Sequence, residues 1–317
     1  MKTILGVDLG GTKILIGEIS ITGEVLSKKN YSSVVTSQRE AINRVKDCIN
    51  DFFETTEIKG EVQGIGLGLV GRIDRKKGIW IEIHPELSNA IEVSKEIERE
   101  FNLPCYLGND VYCATLSEKT YGMGNKTDHF IYMNIGTGIA AGFVVDGKIM
   151  EGANYDADEI GHLVVDYHSN VECPCGRTGC VEVLASGLGL HNRAMSLLDT
   201  YPNSMIKKPV QGRISAKDLF LGYENQDELC KKVIDDALDA TATTIMNLIR
   251  VTDPKAIVLG GGVVNDGWFI DYLLPRMNQK TIRFISEGIA RTKLEPSTIG
   301  LRGAALLVNE HINKENK

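Results

Sequence analysis

The sequence predicts an α/β protein made of two similar halves, and three observations carry that expectation. A strand, glycine-threonine turn, strand, turn, strand order at Ile4 to Leu26 recurs about 125 residues later, from Phe130 to Lys148. Stretches with apolar residues at helical spacing lie between and after these strand groups. The length of 317 residues is large for one hydrophobic core, so two domains are the natural expectation.

Thr3 to Leu9 is apolar and β-rich, and Gly10-Gly11-Thr12-Lys13 turns the chain. Ile14 to Ile19 is the next strand, Thr22-Gly23 turns again, and Val25 to Val35 is the third. The first turn reads D-x-G-G-T-K from Asp8. Its small residues let backbone N–H groups approach a phosphate, and Asp8 is a candidate to hold a metal ion. An ordinary glycine hairpin with a solvated aspartate is the competing reading of this turn alone. The recurrence favours the phosphate reading: Phe130 to Ile135, Gly136-Thr137-Gly138 and Ile139 to Val145 repeat the pattern, and Asp146-Gly147 is a two-residue hairpin signal. A cleft between the halves would bring the two glycine turns face to face across a phosphate chain.

Gln38 to Phe53 carries Ala41, Ile42, Val45, Ile49, Phe52 and Phe53 at helical spacing. Val62 to Val70 is a strand ending in a glycine-rich turn. Gly66 to Gly71 matches G-x-G-x-x-G, but no helix opens after it, so a dinucleotide fingerprint is rejected. Its glycines are read as allowing close backbone approach to a ligand. Val93 to Phe101 is expected as a helix capped by the polar residues before it, and Cys105 to Leu107 as a short strand. Gly108-Asn109-Asp110 follows, then a helical stretch from Val111 to Tyr121. Asp110 stands where an N-cap belongs. A carboxylate between a strand's end and a helix's start is also where α/β sheets place ligand chemistry.

Farther on, Val183 to Leu198 is expected as one helix and Asp199 to Arg213 as an exposed excursion. Gln226 to Val251 is the longest amphipathic helix, stopped by Asp253-Pro254. Ala256 to Leu259 is a strand, and Gly260-Gly261-Gly262 is another close-approach turn. Leu294 to Asn309, with Gly300, Gly303, Ala304 and Ala305, is a helix with a small face, and Asn313 to Lys317 is a frayed end.

Three of the seven cysteines, Cys173, Cys175 and Cys180, fall within eight residues, with His162 a short loop upstream. Thiolate and imidazole ligands suit Zn²⁺, and a Cys3His set closes a tetrahedron as structural sites do. Gly176 and Gly179 let the chain turn between the ligands. The alternatives are a buried thiol cluster, or a disulfide with one thiol left over. A CxC disulfide is strained, which favours zinc. Glu159 and Glu182 flank the two ends of the clip, so a metal on His162 and Cys180 would hold both carboxylates near one another.

A net charge of −7 argues against a nucleic-acid partner, which requires a basic face. Asp8 interrupts the N-terminal apolar run before a signal-peptide core could form, and no run approaches the length of a membrane span. A soluble cytoplasmic protein is expected.

With these turns placed, the chain resembles the ROK family of sugar kinases and repressors. Asp8-Leu9-Gly10-Gly11-Thr12-Lys13 is similar to the first phosphate motif of the actin-like ATPase superfamily, Gly136-Thr137-Gly138 to the second, and Gly260-Gly261-Gly262 to the adenosine motif. Glu159-Ile160-Gly161-His162 with the Cys173 to Glu182 stretch resembles the ROK zinc signature. The resemblance covers Thr3 to about Leu307 and implies a two-lobed, actin-like (ribonuclease H-like) fold, each lobe a mixed sheet flanked by helices. Its expected boundaries are 1–118, completed by a C-terminal helix near 300–317, and 119–299, which carries the zinc-clipped loop.

The resemblance further implies an ATP-dependent sugar kinase using Mg²⁺ and a structural Zn²⁺ on His162, Cys173, Cys175 and Cys180. Asp110 would be the catalytic base, with Gly71, Asn89, Asn109, Glu159, His162 and Glu182 around the sugar. The O6 hydroxyl of glucose or a related hexose is the expected acceptor. N-acetylmannosamine, N-acetylglucosamine and glycoside kinases share much of the signature, and a sugar-sensing regulator is a further alternative. The family's repressors place a DNA-binding domain before the first lobe, for which a phosphate motif starting at Asp8 leaves no room. The family also implies a homodimer. Departures from its pattern border the sugar side: Val70, Pro85 to Ala90, Val111-Tyr112-Cys113, Ala140-Ala141, and Tyr155 to Asp158.

Overall fold

The structure, a computed structural model, describes residues 1–11, 13–33, 37–83 and 88–315. The chain divides into two compact units. One comprises Met1–Gly122, Glu151–Ala157 and Ser297–Lys317, and the other Met123–Met150 and Asp158–Pro296.

The first unit opens with β1 (Lys2–Leu9), β2 (Lys13–Ser20) and β3 (Val25–Ser32), followed by α1 (Gln38–Thr55) and β4 (Glu61–Leu69). Ser37 caps α1 by accepting from Glu40 N, and of the expected stripe Ala41, Ile42, Val45, Ile49 and Phe52 are buried while Phe53 is half-buried. After Gly71 the chain forms no helix but a small antiparallel sheet, β5 (Arg72–Asp74), β6 (Ile79–Glu82) and β7 (Ser88–Ile91). The rejection of the dinucleotide fingerprint therefore stands. α2 (Val93–Phe101), β8 (Cys105–Asn109) and α3 (Asp110–Tyr121) complete this run. The polar cap expected for α2 is absent, because Glu92 makes no side-chain capping bond; the helix ends instead on left-handed Asn102.

The second unit contains β9 (Phe130–Ile135), β10 (Ile139–Val145) and β11 (Lys148–Ile149). Asp146 and Gly147 between the last two both have positive φ, as a two-residue hairpin turn requires. The single helix expected over 183–198 is two, α4 (Val181–Ala185) and α5 (Gly187–Leu197). Extended Ser186 breaks it and caps α5 through Gly189 N. Next come α6 (Ala216–Glu224), α7 (Glu228–Thr252) and β12 (Ala256–Gly260). α6, which the sequence reading missed, starts at a capping box of Ser215 and Asp218. Short helices α8 (Trp268–Leu273) and α9 (Gln279–Ile282) and strand β13 (Gly288–Arg291) follow.

The final helix, α10 (Ile299–Glu315), starts later than expected and belongs to the first unit. Its small face does the packing foreseen for it. A Cβ on Gly66 would lie 1.9 Å from Ala304 O, and one on Gly303 would lie 1.8 Å from Cys113 O. Hydrogen at these positions lets β4 and α3 approach α10 at backbone distance.

The two sheets have the same order, β3-β2-β1-β4-β8 and β11-β10-β9-β12-β13. In each, a meander of three antiparallel strands is continued by two parallel ones. The duplication read from the sequence is thus real. Each unit has its own core, one around Leu5, Val7, Ile42, Phe52 and Leu67, the other around Ile131, Met133, Leu190, Leu238 and Leu259. Among the described residues no helix is long and apolar enough to cross a membrane.

Candidate functional site

In the first unit the expected residues gather at the carboxyl ends of β1, β4 and β8. β1 delivers Asp8 there, and Gly10 N donating to Lys13 O (2.9 Å) closes the turn that follows. Thr12 lies outside the described residues. The Asp8 carboxylate rests against α10: a Cβ on Gly300 would stand 2.7 Å from its Oδ2. Burial raises the Asp8 pKa from 3.8 to about 6, partly offset by the Lys13 charge.

β8 ends at Asn109, which caps α3: its Oδ1 accepts from Val111 N (2.8 Å) and Tyr112 N (3.2 Å). Its Nδ2 donates to Gly71 O at 3.0 Å. The capping role the sequence offered to Asp110 therefore belongs to Asn109, and Asp110 is the first helical residue, its Oδ1 accepting from Val111 N at 3.0 Å. Gly71 has φ +84°, and a Cβ there would lie 2.2 Å from Glu82 O, so the position admits only glycine. Buried Cys113 is pushed far above an ordinary thiol pKa, first by burial and next by the Asp8 charge, with Asp110 adding to it. Asp8 and Asp110 thus share one neighbourhood. Asn89 is exposed in β7, its backbone N–H donating to Gln38 Oε1 (2.8 Å); among the described residues no bond ties it to the Asn109 group. Residues 85–87 of the atypical stretch beside it lie outside the described residues.

The atypical Tyr155 has a partner too. It stands at φ +57° and hydrogen-bonds the Asp74 carboxylate. Next to it Arg75 pairs with Glu151 at 2.8 Å, reaches Glu310 at 3.5 Å and stacks on the Tyr112 ring at 3.5 Å. Arg75 gave no sequence signal, since its partners are 76 and 235 residues away.

In the second unit the Gly136-Thr137-Gly138 turn joins β9 to β10. Gly136 N donates to Gly138 O, Gly187 N to Gly136 O and Leu188 N to Thr137 O, so all three turn carbonyls are engaged. The N–H groups of Thr137 and Gly138 have no acceptor among the described residues. A turn that presents donors and no acceptors suits an anion. Gly260 and Gly261 are required by packing, since a Cβ on either would meet Tyr132 OH or Ile135 O at 2.3–2.4 Å, whereas Gly262 opens onto free space.

His162 sits in a short 3-10 turn over Ile160–His162. Its ligating atom and those of Cys173, Cys175 and Cys180 lie within 4.8 Å of one another. Cys173 Sγ is 3.4 Å from His162 Nδ1, and Cys175 Sγ is 3.6 Å from Cys180 Sγ. A zinc tetrahedron with Zn–S bonds of about 2.3 Å has edges of roughly 3.8 Å, so the four donors fit that ion. Gly176 (φ +84°) and Gly179 (φ +71°) make the turns expected of them. Burial resists ionisation of Cys175, but Arg177 backbone and side-chain donors bring its pKa to about 6. The other imidazole nitrogen, Nε2, lies 3.6 Å from Glu159 Oε2, a carboxylate placed to orient a metal-bound histidine. Glu182, second residue of α4, directs Oε2 to Ile139 N at 3.0 Å.

A family model described as the ROK family matches residues 4–311. A glucokinase of Thermotoga maritima is 28% identical, covering 98% of each chain. A xylose repressor of Caldicellulosiruptor bescii is 26% identical over 98% of this chain and 79% of its own. Among solved structures, a ROK hexokinase from Thermus thermophilus superposes with a TM-score of 0.79 at 25% identity, covering 98% and 99% of the two chains.

Proposed function

The chain belongs to the ROK family, and from that premise we propose that it is an ATP-dependent kinase of a hexose hydroxyl, with Asp110 as general base. The observation that carries the reading is the junction of β8 and α3. Asn109 takes the capping bonds and the bond to Gly71 O, which fixes Asp110 as the first residue of α3 at the carboxyl end of β8, where α/β sheets place ligand chemistry.

Asp110 accepts the proton of the attacking hydroxyl as that oxygen bonds to the γ-phosphorus and the bond to the β-phosphate oxygen breaks; such general-base help is worth roughly 10²–10⁴-fold. Asn109, Glu159, His162 and Glu182 hold the sugar hydroxyls, Gly71 shapes the loop beside them, and Asn89 stands at its edge. The donor-rich turn at Gly136 to Gly138 and the turn at Gly10 to Lys13 receive phosphate oxygens, with Gly260 to Gly262 beside the nucleoside. Asp8 would hold Mg²⁺, which would supply charge neutralisation on the phosphates. His162, Cys173, Cys175 and Cys180 would hold Zn²⁺, which would supply a rigid clip that fixes His162. The enzyme acts in the cytoplasm as a homodimer on small molecules, with neither nucleic acid nor membrane as partner. Glucose O6 is the first acceptor to test.

The experiment is a coupled assay of ATP consumption across glucose, other hexoses, N-acetylhexosamines and glycosides. Phosphorylation of an N-acetylhexosamine or a glycoside would move the enzyme to that branch. Sugar binding with no phosphorylation of any of them would overturn the kinase reading in favour of a sugar-sensing regulator, which the likeness to a xylose repressor keeps as the second reading.

A further inference from the structure

Glu182 lies in the stretch read as sugar-binding, yet its bonding faces the nucleotide turn. Oε2 accepts from the N–H of Ile139, the residue that leaves the Gly136-Thr137-Gly138 turn, at 3.0 Å. The same oxygen would lie 2.7 Å from a Cβ on Gly138 and 3.0 Å from one on Gly161. Glycine at both positions leaves the carboxylate room to reach Ile139. Gly161 also crowds Ile139 from its carbonyl side, where a Cβ would come within 2.4 Å of Ile139 O. At the other end, Gly187 N and Leu188 N hold Gly136 O and Thr137 O. The α4–α5 segment thus grips the turn at both ends, with Glu182 at one and Gly187 at the other.

We propose that Glu182 is a positioning residue for the nucleotide, its Oε2 fixing the Gly136–Gly138 turn so that the Thr137 and Gly138 N–H groups are presented to phosphate. The inference rests on the kinase reading and adds to it a role that sugar contact does not include. One carboxylate oxygen serves the turn while the other serves the sugar, and the two roles separate by substitution. Glu182→Gln keeps an oxygen able to accept from Ile139 N but loses the charge; Glu182→Met keeps the length and loses the acceptor.

Calorimetric titration with Mg-AMPPNP in the absence of sugar reads the nucleotide role alone. Glu182→Gln should bind within about threefold of wild type, and Glu182→Met at least about tenfold more weakly, as expected when a bond to a charged acceptor is lost. In turnover, Glu182→Gln should raise the KM for sugar without raising that for ATP, a split that a merely structural role would not produce. Equal nucleotide affinity in Glu182→Met and wild type would overturn the inference and leave the kinase reading standing. An equal loss in Glu182→Gln and Glu182→Met would overturn it too, because charge rather than the bond to Ile139 would then be the cause. If Glu182→Met does not fold, Gly161→Ala, which crowds Ile139 and Glu182 from the far side, takes its place, and unchanged affinity there overturns the inference. Absence of nucleotide binding by the wild type would bring down the kinase reading and this inference with it.

Discussion

Asn109 and Gly71 are joined by one hydrogen bond, Nδ2 to the glycine carbonyl at 3.0 Å, while the same side chain's oxygen caps α3. One amide thus ties a strand end, a helix start and a left-handed loop glycine into a single rigid corner, with Asp110 as the next residue.

Asp110→Asn should leave that corner intact, because the cap is Asn109. Turnover at saturating sugar should fall by at least roughly 10²-fold while the melting temperature barely moves. A variant with near-normal turnover would end the general-base assignment. Asn109→Ala, by contrast, should cost roughly 0.5–2 kcal/mol of stability through the lost cap alone, read from urea unfolding.

Purified protein should carry about one zinc per chain, as four-ligand structural sites do. Elemental analysis of folded, active protein with no bound metal would refute it. Cys175→Ser should lower the zinc content and, if His162 holds the sugar as proposed, weaken sugar binding more than nucleotide binding.

Asp8 yields a pH prediction with a definite sign. Its pKa is about 6 when folded against 3.8 as the ordinary value, so the native state binds the proton more tightly. Its charged form therefore costs stability, fully so above pH 6, and that cost is relieved as pH falls from about 6 towards 4. Asp8→Asn should raise the melting temperature at pH 7.5, with a smaller gain at pH 5. The KM for MgATP of the wild type should rise as pH is lowered through 6, because the carboxylate is then protonated. A gain in Asp8→Asn that does not depend on pH would contradict the assignment.

Gly303→Ala should destabilise by about 1–3 kcal/mol or more, the cost of overpacking, because its Cβ would collide with Cys113 O. Urea unfolding checks it.

Where the sequence could be read, local physics was decisive. Strand and turn alternation gave both meanders, and cysteine spacing gave a ligand set whose donor atoms converge. The missed features depend on distant partners or on competition between neighbours. Asn109 and Asp110 are both good caps, and only the bond to Gly71 O selects the first. The break at Ser186 serves the turn carbonyl of Gly136, fifty residues earlier in the chain, through Gly187 N. The β5–β7 sheet follows a glycine at φ +84° with its Cβ position closed by Glu82 O, which no periodicity announces. Glu182 is legible as a motif acid but not as the partner of Ile139, because the glycines that admit it lie at 138 and 161.

The close approach of α10 to β4 and α3 at Gly66 and Gly303 has a consequence for biosynthesis. The first unit begins at Met1, yet the side chains that cover one face of its sheet, Leu301, Ala305 and Val308, come from the last helix. On the ribosome, β1 to β8 must wait with that face uncovered while nearly two hundred further residues are made. The second unit has all its strands and helices in hand before then. The part of the chain translated first is thus the part that finishes folding last.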